Sequence, residues 1–181
     1  MASREPVLYV IVCGSPAATG VYDLVSAASD DGWHPCVITT PMGARFVDLE
    51  RLATLTAHPV RSDYKRPEDP DVLPPADAFV VAPATFNTIN KLAHGISDTL
   101  AVGLLCEGLG NARPVIVAPW LNTALARSPA YRRGIELLRA DGVRLVLTDR
   151  TQPEPPTQED EDTFPWNAVR NEIRKAKTEC P

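Results

Sequence analysis

Three short stretches of this chain gather small hydroxyl and amide side chains directly behind apolar runs. The first is Cys13-Gly14-Ser15-Pro16-Ala17-Ala18-Thr19-Gly20, the second Thr39-Thr40, and the third Pro83-Ala84-Thr85-Phe86-Asn87-Thr88-Ile89-Asn90-Lys91. A small turn that opens a helix offers unpaired backbone N–H groups, and the helix dipole adds to them. Such a turn favours an anion, typically a phosphate. The first stretch is neither a dinucleotide fingerprint nor a Walker loop. GxGxxG is absent, five residues separate its glycines, and no Lys-Ser/Thr follows. Each stretch alone has a plain alternative: an ordinary strand-to-helix turn, or helix capping by Thr85 or Thr88. Three polar loops at the same edge of one sheet suit a phosphorylated cofactor better than three independent caps.

A second concentration of polar chemistry is His58-Pro59-Val60-Arg61-Ser62-Asp63-Tyr64-Lys65. Arg61 could clamp an anion there, with His58 or Asp63 as acid or base; the alternative is a solvated loop with incidental charges. The cysteines sit at 13, 36, 106 and 180, and no CxxC pair exists. His34-Pro35-Cys36 has no second ligand pair nearby in sequence, so no metal site is expected. The thiols read as small buried hydrophobes in a reducing compartment.

The elements that must position these residues follow from periodicity. Val7–Cys13 is an almost uninterrupted apolar run, as in a strand buried on both faces. Val21, Leu24, Val25 and Ala28 recur at helical spacing until Gly32 stops the helix. Cys36–Thr40 is strand-like, and Phe46, Leu49, Leu52 and Leu55 mark a second amphipathic helix. A short strand at Val60 precedes a Pro-rich loop from Ser62 to Pro75. Ala78–Ala82 is a third clear strand, followed by helices over roughly 86–96 and 98–108. Val115–Ala118 is a strand, 122–140 is mostly helix, and Val143–Leu147 is the last strand. Trp166, Val169 and Ile173 share one stripe of a terminal helix that docks on the body.

Strands alternating with helices imply right-handed βαβ units. The expected fold is a three-layer α/β/α, Rossmann-like (flavodoxin-like) parallel sheet of about six strands. Ligands of such sheets bind beyond the carboxyl ends of the strands. The chain divides into a body over 1–148, an acidic Pro-rich flexible loop over 149–163, and a docking helix over 164–181.

Composition narrows the classes. The formal charge is −5, but residues 151–163 hold five acids and no bases, which leaves 18 acids against 18 bases elsewhere. No basic stripe marks a nucleic-acid binder. No apolar run approaches the roughly 20 residues that span a bilayer. Met1–Pro6 carries no signal-peptide pattern, so a cytoplasmic protein is expected.

Pro83–Leu100, PATFNTINKLAHGISDTL, closely resembles the PASANTIxKLAHGIxDNLL segment of the cysteine decarboxylases that depend on flavin mononucleotide (FMN). Val12–Gly20 is similar to that family's first loop, commonly TGSIAAYK. Val37–Phe46, VITTPMGARF, is similar to VxxTxxAxxF, and Pro119–Ala126, PWLNTALA, to a degraded PxMNxxMW. The four segments fall in the family's order, and the likeness runs from about residue 7 to 147. The chain also resembles flavoproteins that carry HPVRSDYK and a terminal FPW, here His58–Lys65 and Phe164–Trp166.

The resemblance implies FMN as cofactor. Gly14, Ser15, Thr40, Phe46, Thr85, Asn87 and Asp98 would be its binding residues, in a homo-oligomer, commonly a trimer. It implies oxidative decarboxylase-type or other redox chemistry on a small or peptidyl substrate, with Asn122 gripping the substrate carboxylate. Three family features are altered. The histidine base aligns at or near Asp69, the tryptophan of PxMNxxMW is Ala126, and the clamp ACGDxGxGRM is missing after Leu147. An aspartate suits the base's task only if burial raises its pKa. The expected catalytic residues are therefore His58, Asp69 and Asn122. Arg61 and Trp166 are expected at the substrate, Trp166 as a replacement lid or else as a simple anchor of the tail. Two further readings stay open: a prenyltransferase-like enzyme using Arg45 and Arg61, and a non-catalytic flavin-binding regulatory or partner protein.

Overall fold

A computed structural model describes residues 4–148 and 164–180. The acidic stretch at 149–163 lies outside the described residues. Five parallel strands form one sheet in the order β2-β1-β3-β4-β5. They are β1 (Val7–Val12), β2 (His34–Thr39), β3 (Ala78–Ala84), β4 (Val115–Pro119) and β5 (Arg144–Leu145). Every residue of β1, β3 and β4 is buried, which is why these strands read as unbroken apolar runs.

One face of the sheet carries α1 (Val21–Asp30), α2 (Leu49–Thr56) and α7 (Trp166–Lys177). The other carries α3 (Phe86–Ala93), α4 (Leu100–Gly110) and α6 (Pro129–Ala140), with α5 (Thr123–Ala126) a single turn after β4. Two cores result. Leu8, Val10 and Val12 point with Trp33 and Leu52 into the first; Tyr9 and Ile11 point with Ile89 and Leu105 into the second. Each fully buried leucine or isoleucine contributes about 1.5–3 kcal/mol relative to exposure. The α/β/α expectation is met.

Three elements differ from the sequence reading. The sixth strand at Val60 is a single parallel bridge, Ile38 to Arg61, running beside the edge strand β2. The Pro-rich segment after it supplies no further ladder. The helix expected over 122–140 breaks at Ser128–Pro129, where proline takes the first position of α6. Only Arg144 and Leu145 of Val143–Leu147 pair in the sheet. The stop at Gly32 is as expected: its φ of +76° is left-handed.

The tail helix α7 docks as its stripe predicts, with Val169, Ile173 and Ala176 buried. Arg170 and Arg174 both grip Asp31 at the end of α1, with N–O distances of 2.8–3.1 Å. These two guanidiniums hold the Asp31 carboxyl far below the usual carboxylate range.

Candidate functional site

The carboxyl ends of β1, β2 and β3 open on a cleft of about 470 Å³. Gly14, Thr40, Met42, Thr85, Asn87, Thr88 and Lys91 line it, together with Pro41 and the start of α4 at Thr99 and Val102. Parallel strands bring their C-terminal loops to one edge, so residues far apart in sequence meet here.

Several features fit this cleft to a phosphorylated ligand. Ser15 is only 4% exposed, and its hydroxyl does not cap the short helical turn that follows it. Thr85 occupies the N-cap of α3, yet its side chain does not cap the helix. Its hydroxyl instead meets that of Thr88, 3.3 Å away. The first-turn N–H groups of α3 thus have no capping side chain. Thr40 accepts from the Gly43 N–H at 3.0 Å, which leaves its own hydroxyl proton to donate. Lys91 is the charged group in the wall, paired with Asp98 at 2.6 Å. Beneath them Cys13 lies against Thr88 at 3.3 Å; burial pushes this thiol up, so it stays protonated.

Two glycines allow close approach at this edge. A side chain at Gly43 would place Cβ 2.2 Å from the Val12 carbonyl oxygen. One at Gly14 would meet Met42 at 2.5 Å, with the Phe46 ring 3.2 Å away. The Met42 loop therefore lies directly on the first loop. Met42 and Phe46 are both exposed large apolar residues there.

Four of the seven expected cofactor residues line this cleft: Gly14, Thr40, Thr85 and Asn87. Ser15 and Phe46 flank it, and Asp98 reaches it only through Lys91. Lys91 was missed, although it lies four residues beyond Asn87 on the same helical face. Met42, Thr99 and Val102 carried no signal of their own.

The expected catalytic and substrate residues are placed differently. Asn122 is exposed at the same sheet edge, behind β4, where its Oδ1 accepts from the Leu125 N–H at 2.9 Å. Asp69 lies in an exposed turn, its carboxylate accepting from the Arg66 N–H at 3.0 Å. Arg61 donates to the Asp63 carbonyl at 3.0 Å and lines a separate cavity of about 220 Å³ with Tyr9, Tyr64 and Val72. Trp166 packs on Gly20 and on Phe164, whose ring centroid is 4.4 Å away, and so anchors the tail.

His58 is not brought to the cleft either. It faces His34 at the opposite end of β2, where their rings meet edge to face, with centroids 4.7 Å apart. Burial and the neighbouring His34 push its pKa down, while a hydrogen bond to the Val72 backbone works the other way. The Cys36 thiol beside them is pushed up to about 11 by burial.

Comparison with known proteins decides the family, since the Flavoprotein family matches residues 2–176. The chain belongs to the Flavoprotein family. It is 31% identical over 145 residues to the "Probable phosphopantothenoylcysteine decarboxylase" of Streptococcus mutans, covering 77% of this chain and 80% of that one. It is 34% identical over 141 residues to the "Coenzyme A biosynthesis bifunctional protein CoaBC" of Bacillus subtilis, covering 74% of this chain but 34% of that one. Among solved structures, the FMN-dependent cysteine decarboxylase TvaF from thioviridamide biosynthesis superposes with a TM-score of 0.76. It shares 26% identity, with 96% of this chain and 98% of that chain covered. The expected cofactor, FMN, agrees with this family and with that structure. Among the described residues, no helix is long and apolar enough to cross a membrane.

Proposed function

We propose that this flavoprotein binds FMN in the cleft behind β1, β2 and β3 and carries out flavin-dependent decarboxylation of a small or peptidyl substrate. The convergence of Gly14, Thr40, Thr85 and Asn87 on one cleft carries this reading. The likeness to decarboxylases in sequence and fold supports it. When bound, the flavin supplies the redox chemistry.

The chain's own groups bind and orient. Backbone N–H groups of the Gly14 loop and of the first turn of α3 receive the phosphate, with the Ser15 hydroxyl beside them. The Thr40 hydroxyl and the Asn87 amide donate to the remaining polar atoms of the cofactor. Lys91, steadied by Asp98, adds positive charge at the wall. Asn122 keeps its Nδ2 free to donate to a substrate carboxylate while its Oδ1 holds α5. Met42 and Phe46 give the cleft an apolar rim that excludes water, and a second copy of the chain would cover it in a homo-oligomer.

One observation favours a second reading, a flavin-binding partner protein without turnover. Among the described residues, no imidazole or buried carboxylate lines the cleft. Prenyl transfer gains nothing from Arg61, which is turned towards Asp63.

The test is a visible absorption spectrum after mixing with FMN and desalting. Retained flavin bands are expected, and their loss in the double variant Thr85→Val, Asn87→Ala. Each lost hydrogen bond is worth about 0.5–1.5 kcal/mol, so affinity should fall about 10- to 100-fold in that variant. Unchanged flavin content would remove the site. Carbon dioxide release from cysteine-terminated substrates then separates the enzyme from the partner protein.

A further inference from the structure

Away from the cleft, β2 begins with a different chemistry. Alternation along the strand puts His34 and Cys36 on the same face. The chain leaves β2, passes through α2 and ends that helix at Ala57, whose φ of 54° is left-handed. That turn returns His58 to the start of β2. The Nε2 atoms of His34 and His58 lie 2.5 Å apart, and Cys36 Sγ completes a group whose three donor atoms all fall within 4.8 Å of one another.

We infer that His34, Cys36 and His58 form a binding site for a thiophilic divalent cation, with Zn(II) the best match. Two imidazole nitrogens and one thiolate are the donors that borderline-soft ions select, and calcium and magnesium avoid. Bond lengths of about 2.0–2.1 Å to nitrogen and 2.3 Å to sulfur set tetrahedral donors roughly 3.3–3.6 Å apart. The imidazole nitrogens need to separate by less than about 1 Å to admit such an ion. Cys36 is fully buried on the strand, whereas both rings are half-buried. On binding, the Cys36 S–H bond breaks, the sulfur–metal bond forms, and the proton leaves to solvent. No oxidation is involved. Three protein donors leave a fourth position for water.

The site is separate from the flavin cleft. His34 and Thr40 are six residues apart along β2, which at about 3.3 Å per residue is roughly 20 Å. It staples the segment that starts at His58. Three residues on, Arg61 bridges to Ile38, and the next residue, Ser62, meets Thr39 hydroxyl to hydroxyl at 2.6 Å. The ion would thus fix the outer border of the sheet at the amino end of β2.

The experiment uses the full chain, stripped with a chelator and titrated with Co(II), then Zn(II), while difference spectra are recorded to remove any flavin absorption. One cobalt per chain is expected, with a thiolate-to-cobalt charge-transfer band and the intense visible bands of a tetrahedral ion; zinc should bleach both. Cys36→Ser should abolish the charge-transfer band. His34→Asn and His58→Asn should each weaken zinc by more than about 100-fold, beyond the 10- to 100-fold typical of supporting partners. Zinc should raise the melting temperature of the parent and not of these variants. If Cys36→Ser does not fold, the histidine variants carry the test, because their side chains are half-exposed. Weak octahedral cobalt spectra overturn the proposal. So does zinc affinity that survives all three substitutions.

Discussion

The two ends of β2 gather different side chains by different means. At the carboxyl end, Thr40 stands beside Gly14, Thr85 and Asn87, because parallel strands deliver all their following loops to one edge. At the amino end, His34 and Cys36 meet His58 only because the chain reverses at Ala57 and runs back along the sheet border. The first juxtaposition is a consequence of topology and is shared by any sheet of this kind. The second depends on one turn and one bridge. A rule that places ligands at strand carboxyl ends finds the first and is blind to the second.

Substitutions confined to one end should leave the other end's readout alone. The largest effect is expected from Gly43→Ala. Its Cβ would sit 2.2 Å from a backbone oxygen of Val12, which has no rotamer to escape into. Overpacking of this kind costs about 1–3 kcal/mol. Flavin retention should be lost with it, whereas cobalt binding at the amino end should persist. If both disappear together, the two ends are one cooperative unit.

A smaller effect is expected from Asp31→Asn, three residues before His34. Asp31 ties α7 to α1 through Arg170 and Arg174. Its folded pKa is depressed. The stability it adds is therefore full above its unfolded value near 4 and is lost as pH falls through the lower folded value. Both guanidiniums are partly exposed, so solvent screens much of the attraction. The variant should melt roughly 2–4 °C lower at pH 7 and lose part of the parent's acid sensitivity below about pH 4. Flavin content should not change. A parent and variant with identical melting curves from pH 7 to pH 3 would remove the ion pair from the account.

The smallest effect is expected from Asp98→Asn at the cleft. It frees Lys91 from an exposed pair worth little to stability. Melting should be unchanged within about 0.5 kcal/mol. Flavin affinity should shift by a few-fold, upwards if Lys91 then turns fully to the phosphate. Titration of FMN fluorescence quenching reads it, and no shift would place Lys91 outside the bound cofactor's reach.

The sequence made most of the fold legible. Val7–Val12 and Ala78–Ala84 are so uniformly apolar that only strands buried on both faces suit them, and the stripe of Trp166, Val169 and Ile173 could only dock. Val60 reads as strand because an apolar residue looks the same within a ladder as beside a single bridge, here made by its neighbour Arg61. The break at Ser128–Pro129 had its signal, a proline suited to the first helical position, but helical spacing on both sides hid it. Gly14, Thr40, Thr85 and Asn87 are legible because they follow three strands directly and the family resemblance points to the same positions. The proximity of His58 to His34 and Cys36 is not legible in sequence, because those two residues lie more than 20 positions back along the chain. Asp69 and Trp166 depended on burial and on packing partners, which no single-residue pattern records.

The clasp between Asp31 and Arg170 closes a loop of 139 residues. Forming it needs nearly the entire chain, and loop closure on that scale is among the slower events of folding. During synthesis the outer side of α1 and the nearby Trp33 wait for α7 to emerge, with apolar surface in water meanwhile. The helix made after every strand therefore finishes the core begun by the helix made before all the others. Amides of α1 should gain hydrogen-exchange protection later than those of β3, which finds its neighbours as soon as β4 is made.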